Sequence, residues 1–307
     1  MPQNNAHISQ FMDHLRARDR SPTTLRAYWA DMGIFGDWFE DTNDEAMTPQ
    51  RVTPLDVRDY KSYLQTVKGY QPSTVNRKLA ALKSFFTWAV DSGLVEFNPA
   101  SGIKMLSQVR TAPRWLERVE QRDLVRELQI ATQVAKTEAA RFRARRDRAM
   151  LLLMLHAGLR VSEVSGLKKN EMTLNSRSGS VVVRADTAKG EKQRTVPLNA
   201  SARKALRAWL EVRPAAGEPL FLSQRGGQLQ PDAIYRRVKH YAQRAGMEEI
   251  SPHTLRHTCA KNLVDRGVPL DRVAVILGHE SLDTTAIYTQ PSQADLAQEV
   301  EKIAWED

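Results

Sequence analysis

One cysteine, Cys259, in 307 residues excludes an intrachain disulfide framework and fits a cytosolic compartment. The longest apolar run, residues 149–155, is far too short to span a bilayer. The opening MPQNNAHISQ has neither a basic start nor an apolar stretch, so no signal peptide is expected. Internal repeats, low-complexity tracts and a heptad seam are all missing, which sets aside solenoids, fibres and coiled coils. What remains is a chain long enough for two domains, since a single core seldom grows past about 250–300 residues.

Its net charge is +9 and unevenly spread. Residues 1–105 hold 12 Lys and Arg against 12 Asp and Glu, a balanced segment. Residues 110–213 hold 23 against 11, and residues 214–307 hold 10 against 13. A concentrated basic block suits a polyanionic partner such as nucleic acid. It equally suits a solvated basic face, and charge alone does not choose between them.

Residues 5–93 read as four helices, over 6–18, 22–40, 54–67 and 73–92. Ser21-Pro22 and Thr53-Pro54 each place a capping side chain before a proline at the first helical position. Leu79, Leu82, Phe86 and Val90 recur at helical spacing. Residues 1–97 form the expected first domain. The stretch 98–114, NPASGIKMLSQVRTAPR, reads as a linker and 115–307 as the second domain. There, helices are expected near 117–138 and 142–157, ending at Gly158. VVVRA at 181–185 and KQRTVPL read as a β-hairpin around Lys189-Gly190. Further helices are expected near 200–213, 231–245, 253–266, 269–277 and 282–289, with a last amphipathic segment over 292–304. The basic run ARFRARRDR at 140–148 fits either a DNA-facing helix face or a solvated one, and the role of 131–146 is open.

Three groups of residues could carry chemistry. In GLRVSEVSGL, Gly158 ends one helix and Ser162 caps the next, leaving Arg160 on the turn with Glu163 able to reach back to its guanidinium. An ordinary surface salt bridge has the same spacing. In SPHTLRHTCA, His253, Arg256 and His257 fall at i, i+3 and i+4, one helical face. That spacing can bind zinc, but Thr254 stands where a metalloprotease carries glutamate, and no other His/Cys cluster completes a site. In LGHESLDTTAIYTQ, His279 precedes Tyr288 by nine residues. Each taken alone has a bland reading as a packing residue, and Tyr235 and Tyr241 also lie in a basic stretch. Two arginines, histidines, a lysine and a tyrosine are together the parts needed to hold a phosphodiester and attack it.

These boxes, in this order, resemble the tyrosine recombinase (phage integrase) family, over nearly the whole chain. The resemblance implies a mainly α fold with a small β-hairpin or sheet, in two domains: a helical core-binding, SAM-like domain and a mixed α/β catalytic domain. It implies Tyr288 as nucleophile, forming a 3′-phosphotyrosyl link to DNA. Arg160 and Arg256 then neutralise the phosphate, with His253 and His279 hydrogen-bonded to it. Glu163 and His257 support them. Lys189, in AKGEKQRTVPL, protonates the leaving 5′ oxygen, and Lys192 is its nearby competitor. The arginines supply the charge, so no metal, cofactor or ATP is expected. Their attraction should also favour the phenolate of a tyrosine with a free pKa of about 10.

The resemblance further implies a double-stranded DNA recombination site as partner, and a homotetramer on two sites joined by exchange of the C-terminal helix. An accessory DNA-bending or regulatory protein is possible, and no membrane is involved. The expected setting is the cytoplasm, at the nucleoid, in an Xer-like or transposon-borne recombinase lacking an arm-site-binding module. Thr74, Asn76, Arg77 and Lys83 on one helix, and Arg236, Arg237, Lys239 and Arg244 on another, are candidate DNA contacts. Two other readings stay open: a type IB topoisomerase-like strand transferase, and a catalytically inactive DNA-binding regulator.

Overall fold

The computed structural model describes residues 4–108, 113–184, 193–215, 217–279, 281–289, 296–297 and 300–303. The chain divides near residue 111 into two compact units.

The first unit has four helices, α1 (Asn4–Ala17), α2 (Pro22–Asn43), α3 (Pro54–Thr66) and α4 (Pro72–Asp91). Ser21 accepts a hydrogen bond from the Thr24 amide, and Thr53 forms a reciprocal capping box with Asp56, so both starts follow from local chemistry. Aromatic rings fill the core. Phe11 meets Phe85 edge-on at 5.4 Å and Phe35 meets Tyr60 at 5.0 Å. A buried pair, Lys78 to Asp31 at 2.9 Å, ties α4 to α2.

The second unit begins with α5 (Arg118–Gln133) and α6 (Glu138–Ala157). A single helix to 138 was expected from the sequence. Instead α5 stops at Gln133, and Thr137 caps α6 by accepting from the Ala140 amide. Residues 149–155 are buried on every face, so α6 is the central helix around which the others pack. Next come α7 (Val161–Gly166), β1 (Met172–Leu174), β2 (Gly179–Val183) and β3 (Arg194–Pro197). The sheet is antiparallel in the order β1-β2-β3, with Val181 opposite Val196. The hairpin strands match the sequence reading, whereas β1, three residues long, gave no readable alternation. The turn carrying Lys189 and Lys192 lies outside the described residues. Then follow α8 (Ala200–Leu210), α9 (Pro231–Arg244), α10 (Pro252–Val264), α11 (Leu270–Leu277), α12 (Asp283–Ala286) and a 3₁₀ turn over Ile287–Thr289.

The basic run on α6 is partly interior. Arg146 is 4% exposed, and its guanidinium donates to Asp147, itself fully buried, and to the Leu222 carbonyl. Asp147 also accepts from Arg237 of α9 at 2.6 Å. That part of the run therefore fastens α9 to the central helix instead of forming a uniform external charged face.

Candidate active site

α6 ends at Gly158 in the left-handed region, φ +66°. A Cβ there would lie 2.4 Å from a Leu277 methyl, so glycine lets the ends of α6 and α11 touch. Arg160, two residues on, is the N-cap of α7. Ser162 lies inside that helix rather than capping it. The cap comes from Glu163, whose Oε2 accepts from the Arg160 amide at 2.7 Å and whose Oε1 accepts from Arg160 Nη1 at 2.9 Å. Burial alone would raise the Glu163 pKa. Hydrogen bonds and charge from Arg194, then from Arg160, outweigh it and hold the carboxyl below its ordinary range.

α10 starts with Ser251 capping the Thr254 amide and Pro252 at the first position, which sets the register of His253, Arg256 and His257. Arg256 is 4% exposed and donates to the Gly158 carbonyl at 2.6 Å and the Leu277 carbonyl at 2.7 Å. Burial, then the neighbouring charge of Arg160, lowers its pKa to about 10. Two guanidinium groups whose charges oppose each other, one of them buried, form a site that gains stability from an anion.

α11 ends at Gly278, φ +69°. The last carbonyls of a helix have no intrahelical partner. Here three successive ones are each met by an arginine. Ile276 accepts from Arg194 Nε at 3.1 Å, Leu277 from Arg256, and Gly278 from Arg160 Nη2 at 2.8 Å. The helix end therefore fixes the cations, and it leads directly to His279. That ring is held by Thr285 Oγ1 at 2.8 Å from Nδ1, with Thr285 fully buried. Burial, followed by the charges of Arg256 and Arg160, lowers the His279 pKa to about 4.

Tyr288 sits on the 3₁₀ turn and is 1% exposed. Its hydroxyl is 2.7 Å from His257 Nδ1, and its ring stacks on His279 at 6.4 Å. Burial, with help from His253 and Arg256, lowers the His257 pKa to about 4, so the imidazole is neutral at pH 7. A neutral ring with its proton on Nε2 lets the phenol donate to Nδ1. The expectation that nearby cations favour the phenolate fails in the free protein. Desolvation raises the Tyr288 pKa above 10, and Arg256 offsets it only in part. His253 is also lowered by burial and the two arginines.

Of the residues singled out in the sequence, Arg160, Glu163, His253, Arg256, His257, His279 and Tyr288 converge here; Lys189 lies outside the described residues. Tyr241 is buried elsewhere, against Arg237, and Tyr235 is exposed. Cys259 is buried with its thiol pushed up to about 12, an unreactive group.

The DNA-contact candidates divide. Asn76 is bonded both ways to the Leu106 backbone, Arg77 pairs with Asp31, Arg237 with Asp147 and Arg244 with Glu127. Arg236 and Lys239 are exposed on α9, and Thr74 and Lys83 are half-buried on α4. Sequence reading missed two site residues, Arg194 and Thr285. Arg194 could have been noticed, because it shares a strand face with the buried Val196.

Residues 124–295 match the phage integrase family, and residues 8–96 match its N-terminal SAM-like domain. The chain is 34% identical to a tyrosine recombinase XerC of Thermodesulfovibrio yellowstonii, covering 92% of this chain and 91% of that protein. It is 33% identical to a XerD of Ralstonia nicotianae, covering 96% and 92%. Among solved structures, the fold is similar to XerH recombinase bound to a palindromic difH substrate (TM-score 0.72, 22% identity, 94% of this chain and 81% of that one). It is also similar to a lambda integrase dimer bound to a core site (TM-score 0.68, 15% identity, 99% and 98%). These matches favour neither the topoisomerase-like reading nor the inactive regulator. On this footing the chain belongs to the phage integrase family and is a tyrosine-type, Xer-like site-specific recombinase that cleaves and rejoins DNA.

Proposed function

We propose that Tyr288 is the nucleophile, that Arg160 and Arg256 grip the scissile phosphate, and that His257 takes the phenolic proton. The phenolic oxygen bonds to phosphorus as the bond to the 5′ oxygen breaks, leaving a 3′-phosphotyrosyl link. The phenolic proton passes to His257, and Lys189 gives one to the departing oxygen. His253 and His279 hydrogen-bond the non-bridging oxygens, and Glu163 orients Arg160. The covalent link keeps the bond energy, so a second strand's 5′-hydroxyl reverses the step without ATP.

The observation that carries this reading is the Tyr288 hydroxyl on a neutral His257, beside the helix end that fixes both arginines. In this reading burial keeps the phenol protonated until its oxygen begins to bond to phosphorus, when the proton passes to His257. A nicked suicide substrate tests it: wild type traps a covalent adduct, and Tyr288→Phe binds the site without forming one. An adduct in that variant would move the nucleophile elsewhere.

The partner on this reading is a double-stranded recombination site, contacted from α4 (Thr74, Lys83) and α9 (Arg236, Lys239). The working assembly is a homotetramer on two sites, in the cytoplasm at the nucleoid, with room for an accessory DNA-bending or regulatory protein. A transposon-borne role is compatible with the fold's similarity to the Tn1549 transposon integrase (TM-score 0.69, 20% identity). Of the segment 292–304, residues 296–297 and 300–303 are described. Leu296, Val300 and Ile303 are 48%, 64% and 75% exposed. An apolar stripe left in water supports donation of this segment to a neighbouring protomer.

A further inference from the structure

Glu163 has more partners than the arginine it orients. Its Oε1 accepts from Arg160 Nη1 and from Arg194 Nη1, both at 2.9 Å. Its Oε2 accepts from the Arg160 amide at 2.7 Å and from Arg194 Nη2 at 2.9 Å. A carboxylate offers about four acceptor positions, so this one is full. Arg194 lies on β3, the strand that follows the hairpin turn, and its side chain is only 11% exposed. Its Nε also donates to Ile276, one residue before the carbonyl held by Arg256. The guanidinium lies flat against Gly278, where an added Cβ would come within 2.7 Å of Nη1.

We propose that Arg194 is a positioning residue for phosphate binding, acting through Glu163 on Arg160. The proposal rests on the reading that Arg160 grips the scissile phosphate. An unopposed buried carboxylate beside Arg160 would draw that guanidinium into a bidentate pair, the strongest geometry open to it. Arg194 occupies one acceptor position on each oxygen and so prevents this. Arg160 then meets Glu163 Oε1 through Nη1 while its Nη2 reaches the Gly278 carbonyl, so the guanidinium is held across the end of α11 and not drawn wholly onto the carboxylate. The Arg194 side chain links the strand after the Lys189 turn to the end of α11. Lysine cannot replace it, because a point charge cannot hold both carboxylate oxygens and the Ile276 carbonyl in one plane.

The test compares two nicked substrates of one site, with an ordinary scissile phosphate or with a methylphosphonate, in which methyl replaces one charged oxygen. Arg194→Gln and Arg194→Lys, both checked for site binding and thermal unfolding, should cleave the phosphate about 10²-fold more slowly, as for a misplaced binding group. On the methylphosphonate, which demands less from Arg160, the loss should shrink to a few-fold. Arg194→Gln combined with Glu163→Gln should be no slower than the worse single variant, since both act through one contact.

Equal losses on both substrates, losses that multiply in the double variant, or a wild-type rate for Arg194→Lys would each overturn the proposal. Arg160→Ala separates the two levels. If it leaves phosphate cleavage intact, the clamp reading fails. If it slows cleavage while Arg194→Gln does not, only the role of Arg194 falls.

Discussion

Replacing His257 by Asn keeps an acceptor near the position of Nδ1 but removes the ability to take a proton. In the free protein burial pushes the Tyr288 phenol above its ordinary pKa and lowers the His257 imidazole to about 4. Both shifts oppose transfer of the proton from phenol to imidazole, so it stays on Tyr288 until the phosphate arrives. It moves as the new bond forms and the phenolic oxygen loses basicity. Losing the base should cost about 10²–10⁴ in single-turnover cleavage at pH 7. The alternative route, attack by pre-formed phenolate, draws on less than about 10⁻³ of the tyrosine at that pH, which gives a deficit of the same size. The two routes differ with pH. His257 is already neutral above about pH 5, so wild type should be nearly flat from there upward. The Asn variant should rise about tenfold per pH unit, following the phenolate, until the deficit closes near the tyrosine pKa. Quench-flow cleavage of a suicide substrate between pH 6 and pH 10 reads both. A His257→Asn enzyme with wild-type rate at pH 7, or a deficit that does not change with pH, would refute this account of the proton.

Other predictions follow from the same geometry. Lys189→Ala should be rescued by a substrate with sulfur at the 5′ bridging position, since thiolate leaves without a proton; rescue of Lys192→Ala in its place would reassign the acid. His257 and His279, both lowered to about 4, stabilise the fold while neutral. Their contribution is complete above about pH 6.5 and is lost as pH falls toward 4, on the order of 1–3 kcal/mol each. Thermal unfolding of His279→Asn should therefore show a shallower acid loss than wild type, and an unchanged slope would refute it. Deleting residues 292–307 should spare half-site binding and abolish two-site synapsis, read by native gel. Synapsis at wild-type concentration would mean that the tail docks on its own protomer.

Much of this was legible before any coordinates. Ser21-Pro22 and Thr53-Pro54 placed two helix starts because caps are local chemistry. Arg160, Arg256, His279 and Tyr288 were found because their boxes have fixed spacing, and the structure brings them to one helix end. The unreadable parts are those decided by distant partners. Asn76 and Arg237 look like free polar groups on basic helices, but the Leu106 backbone and the buried Asp147 engage them. Ser162 looks like a cap, yet Glu163, one residue on, does that work because Arg160 offers it both an amide and a guanidinium. Arg194 reads as one more cation in KQRTVPL until Glu163 and Ile276 are seen around it. The raised Tyr288 pKa was missed because composition shows the nearby cations and not the burial that outweighs them.

The most direct test of the central claim is to identify the covalent link itself. Wild-type protein trapped on a suicide substrate, digested with nuclease and protease, should yield a nucleotidyl-peptide whose fragmentation places a 3′-phosphate on Tyr288. A phosphate mapped to Tyr235, Tyr241 or any other side chain would contradict the account, whatever the fold resembles.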